Sequence, residues 1–244
     1  MAELIAVLSG KGGTGKTSVC AGLAQALAKS GEKVLCIDCD VGLRNLDIAL
    51  GLSQFSALSF QDVSEGGYSL DLAVRHPLFP SLAFLTAPVN CLADSIDMDA
   101  FGAMLDEARS KFSYVLLDAP AGVDAGFRLA ARFADRILLV TGPDPAAIRD
   151  AARAADYLEQ MGKTNVRLVV NRISKKVVSS LHLTVDDIRD RSGLPLIGVV
   201  PDDWNVIMAT AYKQPLLVYK KKGAAAAFCR IAKRLQGMKV PVKI

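Results

Sequence analysis

SGKGGTGKTS, residues 9–18, sets four glycines and two lysines in ten positions, and its reading decides the fold. Gly10 to Thr17 follow the spacing G-x-x-x-x-G-K-[ST], with the apolar run LIAVLS (4–9) before them and the helical pattern TSVCAGLAQALAKSG after. That strand–loop–helix context is what a phosphate-binding loop needs. Glycines let successive backbone N–H groups turn inward around phosphate oxygens, and the following helix offers its positive end. Lys16 adds a point charge, and the Thr17 hydroxyl is a ligand for Mg²⁺. Gly10, Lys11, Gly12, Gly13, Thr14, Gly15, Lys16 and Thr17 are therefore the candidate cofactor-binding residues. The spacing explains Lys16 and leaves Lys11 open.

The same stretch satisfies G-x-G-x-x-G through Gly10, Gly12 and Gly15, and Asp38 ends the next strand where a ribose-binding acid of a dinucleotide enzyme would stand. Three features oppose that rival. Lys16 and Thr17 have no role against a bare pyrophosphate, a second strand ends in Asp118, and no hydride-transfer site with a catalytic His or Tyr stands out.

Outward from the loop, short apolar runs alternate with helical stretches. The candidate strands are 4–9, 33–38, 82–87, 114–119, 136–141, 167–171 and 195–200. They are continuous apolar runs rather than alternating ones, as strands covered on both faces are. The fold expected is α/β, a single-domain P-loop NTPase over residues 1–244, with a mostly parallel twisted sheet of seven or eight strands and helices on both faces. Residues 52–80 resist assignment beyond short helices over the sheet.

Two strand ends carry the remaining chemistry. Asp118 follows YVLL and is expected at the carboxyl end of a buried strand, beside the loop, where it can hold a Mg²⁺-bound water. In DAPAG (118–122) the small residues and Gly122 suit a segment that approaches a γ-phosphate and releases after hydrolysis. Asp38 and Asp40 end the second strand, Asp38 toward the metal's water shell and Asp40 toward the attacking water. Thr17, Asp38 and Asp118 are thus the metal candidates, and Lys11, Lys16 and Asp40 the catalytic ones.

Composition fits a globular chain: of 244 residues, 51% are apolar and 22% charged. The opening Met-Ala-Glu leads straight into a strand, and no run of about 18 apolar residues occurs, so a cytoplasmic location is expected. Cys36 and Cys39 lie in one strand, where three residues span roughly 10 Å, beyond the roughly 7 Å reach of a disulfide, and no second pair completes a zinc site. His76 and His182 stand alone. From Trp204 onward there is no acid among nine basic residues; removing those nine from 29 leaves 20 basic against 25 acidic, a balance of −5. The C-terminal surface is where an anionic partner is expected.

GKGGTGKT, with DCDVGLRNLD (38–47), LLDAPAG (116–122), TGPDPAAIRDA, VVNR and GVVPDD, resembles the ParA/MinD family of deviant Walker A ATPases over nearly the whole chain. GLRNLD resembles the septum-site branch, where ParA-like partition proteins usually read D-x-D-P-Q-G. The resemblance implies that Lys11 is the signature lysine, which reaches the phosphates of the opposite subunit when two ATP-bound chains close face to face. A second cation at the loop's mouth, with Lys16 already facing the chain's own phosphates, also suits a phosphate arriving from outside. By the same resemblance Ser18 contacts the α-phosphate region, Asn45 lies near the dimer interface, and Asn171, Pro201 and Asp202 frame the adenine.

ATP and Mg²⁺ are the implied cofactors, and a homodimer with ATP and a cell-division regulatory protein the implied partners. The separate amphipathic membrane-targeting tail of that branch is not evident after AAAAFCRIAKRLQG. Phe228, Ile231 and Leu235 fall on one face of that helical stretch and Arg230, Lys233 and Arg234 on the other. Its apolar stripe is read as packing on the sheet, with peripheral contact to anionic lipid at the inner face of the cell membrane through the basic end as the other use. A nucleotide-dependent module that engages DNA is the alternative function.

Overall fold

The strands are β1 (Glu3–Leu8), β2 (Val34–Asp38), β3 (Val74–His76), β4 (Phe79–Leu85), β5 (Tyr114–Asp118), β6 (Arg136–Thr141), β7 (Val166–Ile173) and β8 (Leu196–Pro201) in a computed structural model that describes residues 1–89 and 91–243. They form one sheet in the order β3-β4-β2-β5-β1-β6-β7-β8. β1 lies between β5 and β6 and runs parallel to both. Its side chains divide by alternation: Leu4, Ala6 and Leu8 enter one core, Ile5 and Val7 the other. A strand buried on both faces demands helices above and below.

On one face lie α1 (Lys16–Lys29), α2 (Leu46–Leu50), α9 (Trp204–Ala211), α10 (Leu216–Tyr219) and α11 (Ala224–Leu235). The other carries α3 (Phe60–Ser64), α4 (Met98–Lys111), α5 (Ala125–Phe133) and α6 (Pro145–Gln160). α7 (Lys175–Ser180) and α8 (Val185–Ser192) close a smaller cluster over β7 and β8. The seven expected strands are present, one of them (136–141) with the expected ends and the others with ends shifted by at most three residues. No helix among the described residues is long and apolar enough to cross a membrane.

The unassigned stretch holds α3, a 3₁₀ turn at Leu70–Leu72, and an antiparallel edge strand, β3, that the sequence did not reveal. Three residues are too few to show a period, and Pro80, which cannot donate to a ladder, lies where the β3–β4 pairing slips. His76 is a core residue: its Nδ1 accepts from the amides of Leu78 (3.0 Å) and Phe79 (3.2 Å), and Nε2 lies 3.0 Å from the Leu50 carbonyl. Burial holds this imidazole below its usual pKa, so it tightens the turn as a neutral ring. All five cysteines are free thiols, with Cys36 and Cys39 buried in the core.

α11 packs its apolar stripe on the sheet, with Phe228, Ile231 and Leu235 all buried. The fit is close enough to exclude a methyl group. A Cβ on Gly22 of α1 would lie 2.2 Å from the Phe228 ring, and one on Gly198 of β8 would lie 2.3 Å from Ile231. On the opposite face Lys233 stays exposed, while Arg234 is engaged by backbone. Arg234 donates to the carbonyls of Ile197 (2.7 Å), Val240 (2.8 Å) and Pro241 (2.6 Å), because these carbonyls have no ladder partner on that side and a guanidinium fork can serve three at once.

Candidate functional site

The loop after β1 lies at the carboxyl ends of the parallel strands, where an open α/β sheet places its ligands. Gly13 (φ 79°) and Gly15 (φ 88°) take left-handed backbone, which a side chain would oppose. Gly15 is also the N-cap of α1, with no side chain capping the helix, so the first-turn amides stay free for an anion. Gly12 is open to approach. Gly10 is glycine for a different reason: a Cβ there would lie 2.1 Å from the Asp150 carbonyl of α6. Lys16 is 8% exposed and Thr14 is buried with its hydroxyl unpartnered, while Thr17 and Ser18 are half-buried.

Asp38 and Asp118 come level on the adjacent parallel strands β2 and β5. Both are buried. Asp38 accepts through one oxygen from the Asp40 amide (2.9 Å) and through the other from the Leu46 amide (3.1 Å), so it organises the loop to α2. Burial, opposed by these two bonds, pushes its pKa up to about 6. Asp118 has an oxygen with no partner. Burial and then the charge of Asp38 push it up to about 8, although the Thr17 hydroxyl and the Lys16 ammonium pull it down.

An orphaned carboxylate oxygen beside a hydroxyl and a second acid is a donor set that fits a hard divalent cation. No group of three or more His, Cys, Asp or Glu ligands converges among the described residues, which suits an ion that takes most of its shell from phosphate oxygens and water. Thr17 and Asp118 would hold Mg²⁺ there, with Asp38 in the outer shell.

The raised Asp118 has a measurable consequence. Its unfolded pKa is about 4, so between pH 4 and 8 the nucleotide-free folded chain binds a proton that the unfolded chain does not, and its stability falls as pH rises through that window. Asp118→Asn is expected to flatten this dependence. At pH 8 it raises the stability of the nucleotide-free protein by on the order of 2 kcal/mol, or roughly 4–8 °C in Tm for this size. Thermal melts in chelator at pH 5, 6.5 and 8 read it. A variant with the wild-type slope overturns the assignment.

Asp40 turns its Oδ1 to its own loop, accepting from the amides of Gly42 (3.2 Å) and Leu43 (3.1 Å). Across a cavity of about 300 Å³ it faces Pro120 of DAPAG, Asp124 and the start of α5. The Gly122 amide donates to the Ser9 carbonyl (3.1 Å), tying that segment to the start of the phosphate loop.

A second cavity, of about 430 Å³, is lined by Ser18, expected at the α-phosphate region, and by Asn171, Pro201 and Asp202, expected around the adenine. Arg172, Trp204, Ile207 and Phe228 also line it. Asn171 is 5% exposed and its Nδ2 donates to the Thr14 carbonyl (2.8 Å), so part of its donor capacity serves the loop rather than a base. Asp202 is exposed, and its neighbour Asp203 caps α9. Asn45 is exposed at the N-cap of α2.

Lys11 stands at the mouth of the loop. Its Nζ lies 3.1 Å from Asp144 Oδ1, with the two side chains 42% and 52% exposed. Asp144 also accepts from the Ala147 amide as the N-cap of α6. Partial burial works to raise its pKa, but that amide and Lys11 hold the carboxyl below the usual range. Sequence reasoning missed Asp144. Its place before Pro145 marks a helix start, yet nothing local pairs it with a residue 133 positions away. Arg172 was also missed; its Nη1 donates to the Gly13 carbonyl (2.9 Å).

The sequence model described as CobQ/CobB/MinD/ParA nucleotide binding domain matches residues 5–216. The septum site-determining protein MinD of Synechocystis sp. is 39% identical over 244 residues, covering 99% of this chain and 92% of that protein. Among solved structures, the MinC:MinD cell division protein complex of Aquifex aeolicus matches with a TM-score of 0.91 at 37% identity, over 100% of this chain and 99% of that one. The septum site-determining protein MinD of Pyrococcus horikoshii, solved with Mg-ADP, matches with a TM-score of 0.80 at 27% identity, over 96% of each chain.

Proposed function

Because this chain belongs to the CobQ/CobB/MinD/ParA nucleotide-binding family, we propose that it binds Mg-ATP, hydrolyses it slowly, and pairs with a second copy around the bound nucleotides. It is MinD-like over its whole length, and septum-site placement in cell division is the process in which this switch acts. One observation carries the reading: two buried acids, Asp38 and Asp118, come level at adjacent strand ends, and Asp118 keeps an open oxygen beside Lys16 and Thr17.

In this reading the free amides of the loop and α1 receive the phosphates, and Lys16 neutralises them from within the chain. When bound, the magnesium ion draws charge from the phosphate oxygens. Asp40 is free at Oδ2 to orient the attacking water, its Oδ1 being fixed by its own turn. In the second cavity Ser18 contacts the α-phosphate region, and Asn171, Pro201 and Asp202 frame the adenine. Lys11 exchanges Asp144 for the phosphates of the opposite copy.

The partner that reads the ATP-bound dimer is a cell-division regulator, in keeping with the neighbour solved as a MinC:MinD complex. Contact with anionic lipid falls to the exposed Lys213, Lys220, Lys221 and Lys222, since the apolar stripe of α11 is already buried. Each cation near such a surface contributes about 1 kcal/mol.

The test is the mass in solution with Mg-ADP and then with Mg²⁺ and a non-hydrolysable ATP analogue. A monomer with the first and a dimer with the second is the expected result. The same mass in both would overturn the switch.

A further inference from the structure

Two consecutive carbonyls of the phosphate loop are held by side chains from the end of β7. Arg172 donates to the Gly13 carbonyl at 2.9 Å, and Asn171 to the Thr14 carbonyl at 2.8 Å. In a trans peptide the C=O of one residue and the N–H of the next point in opposite directions. A carbonyl fixed on Arg172 therefore aims the Thr14 N–H away from β7, and a carbonyl fixed on Asn171 aims the Gly15 N–H the same way. Among the described residues neither amide donates a hydrogen bond, although Thr14 is buried and Gly15 half-buried. Unpaired donors in such a place call for a ligand.

The surroundings are shaped to allow the two bonds. A Cβ on Gly15 would lie 2.3 Å from the Asn171 amide nitrogen, so only glycine admits it. Arg172 itself holds left-handed backbone at φ 57°, a conformation that disfavours an arginine and that the neighbouring structure must support. No carboxylate pairs with Arg172 among the described ion pairs, so its guanidinium is given to a neutral carbonyl.

We propose that Arg172 and Asn171 are positioning residues that set the peptide planes of Gly13–Thr14 and Thr14–Gly15, so that two amides face the phosphate chain before any ligand arrives. This rests on the nucleotide reading above. Both side chains also line the nucleoside cavity, so the base end and the phosphate end of the site share one pair of residues.

The experiment uses the full chain with a fluorescent ADP analogue, displaced by Mg²⁺ with inorganic tripolyphosphate or by adenosine. Arg172→Ala is expected to weaken tripolyphosphate about tenfold, as losing one charge-assisted bond does, and to weaken adenosine, whose cavity Arg172 only lines, distinctly less. Arg172→Gly relieves the backbone while removing the donor and gives the same loss; Arg172→Lys recovers most of it. A loss caused by peptide orientation persists from about 0.1 to 0.5 M salt, whereas the loss of a distant charge shrinks over that range.

Unchanged tripolyphosphate binding, an equal loss for adenosine, or a loss that vanishes in high salt each overturns the proposal. Should the wild-type chain bind neither ADP nor tripolyphosphate, the nucleotide reading itself fails.

Discussion

Lys16→Ala is expected to lose Mg-ADP and Mg-ATP binding by about two to three orders of magnitude, because truncating a buried cation leaves its anionic partner uncompensated at a cost of about 2–5 kcal/mol. Lys16 is the first residue of α1 and only 8% exposed, so it sits where neither water nor another side chain replaces it. Its ammonium is also one of the two groups that pull the Asp118 pKa down. The variant therefore loses a phosphate contact and at the same time keeps a proton on the acid that would hold the metal. Calorimetric titration with Mg-ADP reads the effect, and thermal melts confirm that the variant folds. An affinity within tenfold of wild type would show that the phosphates lie elsewhere.

Lys11→Ala separates the two lysines. Nucleotide binding by the single chain is expected to stay within about threefold, since an exposed ion pair such as Lys11–Asp144 contributes only about 0–1 kcal/mol, and dimerisation with a non-hydrolysable ATP analogue is expected to vanish. That low cost is itself part of the device. In the proposed switch, a cation half in water and tied to one N-cap carboxylate exchanges that partner at little cost for a triphosphate of a second copy. Sedimentation with ADP and with the analogue reads both halves of the result. A variant that still pairs tightly with ATP would mean that the lysine works within its own chain or not at all.

The fold was legible where local chemistry and the global arrangement coincide. Continuous apolar runs gave seven strands, and the glycine spacing with Lys16 and Thr17 gave the loop, because both signals lie within a few consecutive residues. The face of α11 was legible too, since Phe228, Ile231 and Leu235 recur at helical spacing. What sequence did not show depends on residues distant in the chain. β3 exists only because β4 offers it an edge. The pairings Lys11–Asp144 and Arg172–Gly13 join positions 133 and 159 apart, and no period or motif records them. The near-level placing of Asp38 and Asp118 follows from β2 and β5 being neighbours, which strand order alone determines.

The ring of Phe228 pressed into the place of a missing Gly22 side chain also decides which parts of the molecule stay still. α1 carries Lys16 at one end and packs closely against α11 near its middle, a contact that opposes sliding or rotation along the sheet. It is the anvil of the machine. In the proposed switch, the movement that accompanies loss of a γ-phosphate therefore falls to the segments around Asp40 and Gly122, displaced against a stationary bed.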